Sequence, residues 1–324
     1  MKPQQIEAAI QELLKEIEGT SRPANEVINA YTRHRRYIGS KDRHALTEEV
    51  WAHLRSRPVP KWIMRVIDET ELQAMKQPAE IVLRANGNRG EIQKKLAAQG
   101  IETEKTKHSP WGLILKKRVN LSMVDCYRMG WVEVQDEGSQ LVALATHISP
   151  KEEVLDYCAG AGGKSLCFAQ MMHNQGRIVA HDVSRISLKE LNKRAQRAKV
   201  SIIQTTLFPK GQFNQVVVDA PCSGSGTWRR CPDAPFKLTP QQVADLIKKQ
   251  AQILDKASSF VALNGKLHYM TCSLIQGENQ DQMRAFLKRH PEFKLVHHQQ
   301  WTPAKNKTDG FFLATFKCVK KIPV

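Results

Sequence analysis

From Glu153 onward the chain alternates short apolar runs with longer stretches of helical periodicity, and that alternation leaves it few folds to choose from. Val154-Leu155-Asp156-Tyr157 reads as a buried strand, followed by a glycine-rich turn and a helix over residues 164–172. Residues 178–180, 201–204, 216–218 and 266–271 read as further strands. Helices are expected between them over residues 184–198 and about 240–263, the second ended by Asn264-Gly265. Short strands are expected near residues 295–297 and 311–316. Strands joined through helices pair in parallel, because a parallel crossover needs a dozen or more residues. The expected fold is therefore an α/β doubly wound, Rossmann-like sheet.

The chain upstream has a different rhythm. Residues 1–75 read as helical: Ile6, Ile10, Leu13, Leu14 and Ile17 recur at helical spacing. A second periodic stretch runs from Ala24 through Trp51 and Leu54, interrupted near Gly39 and broken by Pro58 and Pro60. Residues 80–84, 101–104 and 113–115 read as strands and 92–98 as a helix, with Gly87 and Gly90 flanking a turn. Residues 131–134 add a strand, and a helix starts at about Gly138. The expected division is a helical region over 1–75, a small α+β unit over 76–134, and the α/β domain over 135–324.

Charge narrows the partner. The 49 Lys and Arg against 32 Asp and Glu give +17. Residues 1–120 hold 22 basic and 15 acidic side chains, a balance of +7, which leaves +10 for the remainder. Positive charge spread along a whole chain attracts polyanions, nucleic acid ahead of an acidic membrane surface. Arg33, Arg35, Arg36, Lys41 and Arg43 cluster on the helical region. A solvated helix face and a phosphate contact explain that cluster equally well. There is no apolar run of transmembrane length, and residues 1–14 lack the apolar centre of a signal peptide. The seven cysteines are an odd number without CxxC spacing, which argues against a disulfide framework or a zinc site and fits a reducing cytoplasm.

Three motifs carry chemistry. Asp156-Tyr157-Cys158-Ala159-Gly160-Ala161-Gly162-Gly163-Lys164 lies where a strand turns into a helix. Small residues there admit a ligand close to the backbone, and the helix start offers free N–H groups. Asp182 closes the next strand, where an acid suits a ribose hydroxyl pair in dinucleotide and S-adenosylmethionine sites alike. The second motif, Asp219-Ala220-Pro221-Cys222-Ser223-Gly224-Ser225-Gly226, starts at the end of another strand and continues into Arg229-Arg230-Cys231-Pro232-Asp233. The third, Tyr269-Met270-Thr271-Cys272-Ser273, ends the strand after it. Cys126, Cys167 and Cys318 read as core residues, and Cys158 as a packing residue in the turn.

Two cysteines at neighbouring strand exits, beside a nucleotide turn, suit one reaction well. Carbon 5 of a pyrimidine is a weak nucleophile until a thiolate adds to carbon 6 and pushes electron density onto it. A nearby cation favours the thiolate; Lys164, Arg229 and Arg230 are candidates. A second group must help the product leave. Asp219 is a candidate for holding the base by its N3–N4 edge. Which cysteine attacks is not decided by these residues. A nicotinamide-dependent oxidoreductase would use the same glycine turn but gives no reason for Cys222 and Cys272.

At these motifs the chain resembles the RsmB/Nop/Sun family of RNA cytosine-5 methyltransferases. The Asp-Ala-Pro-Cys-Ser block, the Arg-Arg-Cys-Pro-Asp extension and the Thr-Cys-Ser block stand in family order, preceded by Val134-Gln135-Asp136-Glu137-Gly138-Ser139-Gln140 and followed by Asp309-Gly310-Phe311-Phe312. The resemblance covers about residues 79–318. It implies a class I S-adenosyl-L-methionine methyltransferase sheet, Cys272 as the attacking thiolate and Cys222 as the residue that helps release the methylated product. It implies cofactor contacts at residues 158–164, Asp182 and Asp219, and an RNA-binding role for residues 79–120. The family usually carries an acid after the third strand, near the adenine; here Ile203-Gln204-Thr205-Thr206 stands instead, so Gln204 or Thr205 is expected to substitute. In the ribosomal enzymes the N-terminal part is similar to the antitermination factor NusB, and residues 1–75 would be either a trimmed version of it or an unrelated helical region. The implied partner is structured RNA, ribosomal ahead of transfer RNA, bound by a monomer without a metal. A non-catalytic RNA-binding or ribosome-assembly factor on the same fold is the alternative.

Overall fold

The structure, a computed structural model, describes residues 3–35 and 37–320. Arg36 of the basic cluster therefore lies outside the described residues. The chain opens with helices Pro3–Glu18, Ala24–His34, Ser40–Ser56 and Glu69–Met75. Leu13, Ile17, Val27, Ile28, Leu46, Val50 and Leu54, spaced at helical intervals, close over one apolar core. Within the basic cluster, Arg35 stacks on the Tyr31 ring at 3.5 Å and bonds Glu12 at 3.2 Å, and Arg43 donates to the Ile38 carbonyl. Arg33 and Lys41 are exposed.

An antiparallel sheet follows, with strands β1 (Val82–Ala85), β2 (Thr103–Lys105), β3 (Gly112–Leu115) and β4 (Val132–Val134) in the order β2-β3-β1-β4. Helix Arg89–Ala97 covers it, started by Asn88, whose side chain accepts from the amides of Gly90 and Glu91. β1 begins two residues later than the strand expected from residue 80; Ile81 nevertheless accepts from Leu115 through its carbonyl.

The main sheet has seven strands: β5 (Glu153–Asp156), β6 (Arg177–His181), β7 (Ile203–Thr206), β8 (Phe213–Asp219), β9 (Val261–Thr271), β10 (Phe293–Trp301) and β11 (Phe311–Cys318). Their order is β10-β11-β9-β8-β5-β6-β7. Strict alternation along the strands feeds two cores. Leu155, Val216, Val218 and Tyr269 face helices Pro240–Ser258 and Gln280–Arg289, while Val154, Val217 and Met270 face helices Glu137–Leu144 and Gly163–Met171. The order reverses between β5 and β8, so their connections leave on opposite sides and a crevice opens at their carboxyl ends. Among the described residues no helix is long and apolar enough to cross a membrane.

Two sequence expectations need correction. The helix expected over 240–263 stops at Ser258, and Val261 already pairs with Phe213. Asn264-Gly265 bulges strand β9 instead of ending a helix: Asn264 takes φ 66°, and the register with β8 slips between Phe213 and Gln215. The sheet is also not parallel throughout, since β11 runs antiparallel to β9 and β10. Only the short helix Pro303–Asn306 separates β10 from β11, too little for a crossover, so the two close as a hairpin.

Candidate active site

The crevice is built from the exits of adjacent strands. β5 ends at Asp156, and the chain then turns through Gly160 (φ 52°) and Gly162 (φ 84°) into helix Gly163–Met171. Gly162 could not carry a side chain, because a Cβ there would meet Leu191 Cγ at 2.4 Å. Asp182, just past β6, accepts from the Gly160 amide at 2.9 Å and so fixes the turn. A cleft of about 460 Å³ lies above it, lined by Asp156, Cys158, Ala159, Gly160, Ala161, Gly163, Lys164 and Asp219 among others.

Asp156 is fully buried. Burial raises its carboxyl to about 7, against the bond it accepts from Ser165 Oγ at 2.6 Å. Its Oδ1 has no partner among the described residues, although Asp156 lines the cleft. Gln135 shares that condition: it lines the cleft and its Oε1 is buried and unpartnered. Gln135 was not expected as a site residue; its position in the segment leading into the α/β domain was the only signal. Burial and the surrounding carboxylates push the Cys158 thiol far up, which fits a packing residue.

The second half of the site comes from β8 and β9. Asp219 ends β8, and its Oδ2 lies 2.6 Å from Lys164 Nζ. Burial works against the Lys164 ammonium, but the Asp219 charge and bond outweigh it and the pKa is raised. Asp219 and Met270 are register partners on adjacent parallel strands, so the loops that follow run side by side. They bring Cys222 Sγ and Cys272 Sγ to 3.5 Å. The hydrogen bond to Cys272, then burial, push the Cys222 thiol well above its ordinary range. Cys272 in turn adds to the field that keeps Lys164 charged.

Arg229 and Arg230 do not serve the cysteines, a correction to the sequence reading. Arg229 Nε donates to Asp309 at 2.7 Å, and Arg230 reaches Asp309 at 2.5 Å and Asp136 at 2.6 Å. Each guanidinium is taken by the nearest carboxylates; Asp309 ties the loop after β8 to the segment before β11, and Asp136 ties it to the start of helix Glu137–Leu144. Burial and Asp136 raise the Asp309 carboxyl while the two arginines oppose them. Asp233, from the same motif, caps the N-terminal part: its Oδ2 accepts from Ala24 N and from Lys237 Nζ, each at 2.9 Å.

Gln204 and Thr205 do not line the cleft, and neither does Asp182. Gln204 is exposed on β7, and Thr205 Oγ1 accepts from Asn192 at 3.0 Å. The exposed apolar side chains of Val183 and Phe208 stand just beyond the ends of β6 and β7, and neither was singled out in the sequence.

A family profile described as 16S rRNA methyltransferase RsmB/F matches residues 143–317. The Bacillus subtilis protein named "Probable ribosomal RNA small subunit methyltransferase B" is 34% identical over 269 residues, covering 74% of this chain and 60% of that protein. The crystal structure of PH0851 superimposes with a TM-score of 0.76 at 24% identity over 90% of this chain and 75% of that one. The crystal structure of NSun6 from Pyrococcus horikoshii with SFG gives a TM-score of 0.73 at 17% identity over 81% and 99%. At those identities the two structures speak for the fold alone.

Proposed function

Since the chain belongs to the RsmB/F family of 16S rRNA methyltransferases, we propose that it methylates carbon 5 of a cytosine in RNA from S-adenosylmethionine, with Cys272 as covalent nucleophile. The observation that carries this reading is the pair of sulfurs 3.5 Å apart at the exits of β8 and β9, beside the Lys164–Asp219 pair and the cleft. Bound S-adenosylmethionine supplies an electrophilic methyl group on a sulfonium. The residues fit it: the glycine turn admits a ligand close to the backbone, and the unpartnered Asp156 Oδ1 and Gln135 Oε1 are acceptors for an ammonium.

The chain's own groups then have separate tasks. The Cys272 thiolate adds to carbon 6, making the C–S bond as the 5,6 double bond shifts its electrons toward carbon 5. Lys164 places a positive charge near that sulfur and favours the thiolate. Asp219 can accept from the N3–N4 edge of the base and so hold the adduct in its protonated form. After carbon 5 is methylated, a water molecule takes its proton, the C5–H electrons re-form the 5,6 double bond, and the C6–S bond breaks so that Cys272 leaves as a thiolate. The Cys222 S–H, which retains its proton, can donate to that departing sulfur.

The substrate is proposed to be ribosomal RNA, in line with the family description. A base must leave its stack to reach the sulfurs, at a cost of a few kcal/mol, so open segments are favoured over intact helices. The chain spans 60% of the length of the Bacillus subtilis relative. The test is transfer of labelled methyl groups to 16S rRNA and to tRNA, with bisulfite mapping. New 5-methylcytosine in 16S rRNA is expected; label in neither RNA, from folded protein that binds S-adenosylhomocysteine, would overturn the reading.

A further inference from the structure

Behind the two cysteines lies a buried carboxylate that the reaction above does not use. Glu278 is fully buried. Its Oε1 accepts from Ser223 N at 2.8 Å and Gln250 Nε2 at 2.9 Å, and its Oε2 accepts from Ser223 Oγ and Ser273 Oγ, both at 2.5 Å. All these donors are neutral. A buried carboxylate that is satisfied by hydrogen bonds but not neutralised by a cation keeps its field, and that field is strong where water is excluded.

The arrangement is lopsided. Ser223 follows Cys222, and Glu278 takes both its amide and its hydroxyl. Ser273 follows Cys272, and Glu278 takes only its hydroxyl; the Ser273 amide goes to Thr271 Oγ1 at 3.3 Å. The carboxylate is thus fastened closely to the Cys222 loop, while the Lys164 cation acts on Cys272. Glu278 is itself held from both sides. Tyr269 OH donates to its carbonyl at 2.6 Å, and the neighbouring Asn279 bridges Thr271 and the Ser273 carbonyl.

We propose that Glu278 is a positioning residue that selects Cys272, and not Cys222, as the working nucleophile, by clamping both loops and setting its negative charge on the Cys222 side. The inference rests on the two-cysteine reaction proposed above. Its consequence is a division of one proton between two sulfurs: Cys222 keeps it and donates it toward Cys272. The upward shift of the Cys222 thiol agrees, with Glu278 contributing after Cys272 and burial. The other ionisable groups about the pair, among the described residues, are Lys164 and Asp219 on the cleft side, Tyr269 beneath, and Cys231, Asp233, Lys237, Asp245 and Lys249 across the groove beyond Ser223.

The test needs neither RNA nor cofactor. The full chain is alkylated with iodoacetamide across pH, and the Cys222 and Cys272 peptides are read separately by mass spectrometry. In the unaltered protein Cys272 is expected to react at lower pH than Cys222; the reverse order overturns the proposal whether or not any variant folds. In Glu278→Gln the serine hydroxyls can turn to accept from the new amide, so the loops keep a clamp without the charge. The Cys222 midpoint should then fall, raising its share of alkylation on the order of tenfold, the effect of one pKa unit, while the Cys272 midpoint stays. A purely structural role would expose both sulfurs equally, and profiles that rise together, or do not move, overturn the proposal. If RNA methylation is found and this ratio is unmoved, Glu278 alone is misassigned. If the ratio moves but no RNA is methylated, the methyltransferase reading has failed.

Discussion

Lys164 Nζ and Asp219 Oδ2 stand 2.6 Å apart across the point where β5 and β8 part, with 10% and 29% of their side chains exposed. The pair joins the helix after the glycine turn to the end of β8. Removing the cation leaves a carboxylate half out of water and takes the positive charge away from Cys272. Lys164→Met is expected to lower methyl transfer by a hundredfold or more, roughly 3 kcal/mol of lost transition-state stabilisation. The titration of Lys164 itself should add no pH dependence to stability below about pH 9. The folded pKa of Lys164 lies above its unfolded value, so the stability it contributes is full below the unfolded pKa and is lost only in strong alkali. Chemical unfolding of both proteins at several pH values checks this.

The two cysteines should separate cleanly. Cys272→Ala is expected to abolish transfer, by about a thousandfold or more. Cys222→Ala removes the hydrogen-bond donor 3.5 Å from the departing sulfur and should accumulate an RNA–protein adduct that survives denaturing electrophoresis. An adduct seen with Cys272→Ala instead would reverse the roles.

Asp156 makes stability depend on pH. Its carboxyl is raised to about 7 from 3.8, so between these values the unfolded chain is ionised while the folded one keeps its proton. The contribution is therefore present at and below pH 4 and falls as pH rises toward 7, by about 1.4 kcal/mol per unit in that window. Asp156→Asn should flatten that part of the curve relative to the unaltered protein, which denaturant titrations from pH 4 to 8 would read.

The cleft should distinguish ligands. S-adenosylhomocysteine at a hundred times its Kd should add about 2.7 kcal/mol of stability and raise the melting temperature by several degrees, whereas NAD should not. Asp182→Ala, which frees the Gly160 amide, should shrink that shift.

Asp309 holds two guanidiniums. Asp309→Ala would leave Arg229, itself 8% exposed, with the Lys307 carbonyl at 3.2 Å and Asp136 at 3.6 Å, and is expected to cost about 1.5–3 kcal/mol in unfolding experiments. That cost would mark Arg229 and Arg230 as structural residues of the loop after β8.

Much of this site was legible because its signals are local. The unbroken apolar run Val216-Val217-Val218, the small residues from Ala159 to Gly163 and the cysteines set just past strand ends each show within a few residues. Gln135, Val183 and Phe208 escaped notice because nothing local sets a cleft-lining glutamine or an exposed apolar side chain apart from its neighbours. Glu278 escaped for a different reason: a glutamate in a polar stretch reads as surface until its four donors, drawn from Ser223, Gln250 and Ser273, are seen around it.

The order of the residues by itself determined the doubly wound pattern, the glycine turn, and the presence of two cysteines at strand exits, since each follows from spacing along the chain. Only the tertiary structure decided that β11 runs antiparallel, that Arg229 and Arg230 belong to Asp136 and Asp309, and that the two sulfurs touch beside a buried carboxylate. Those outcomes depend on which strands become neighbours and which opposite charge lies nearest in space. Between groups 50 to 150 positions apart, sheet order and packing set the distance, and the interval along the chain does not.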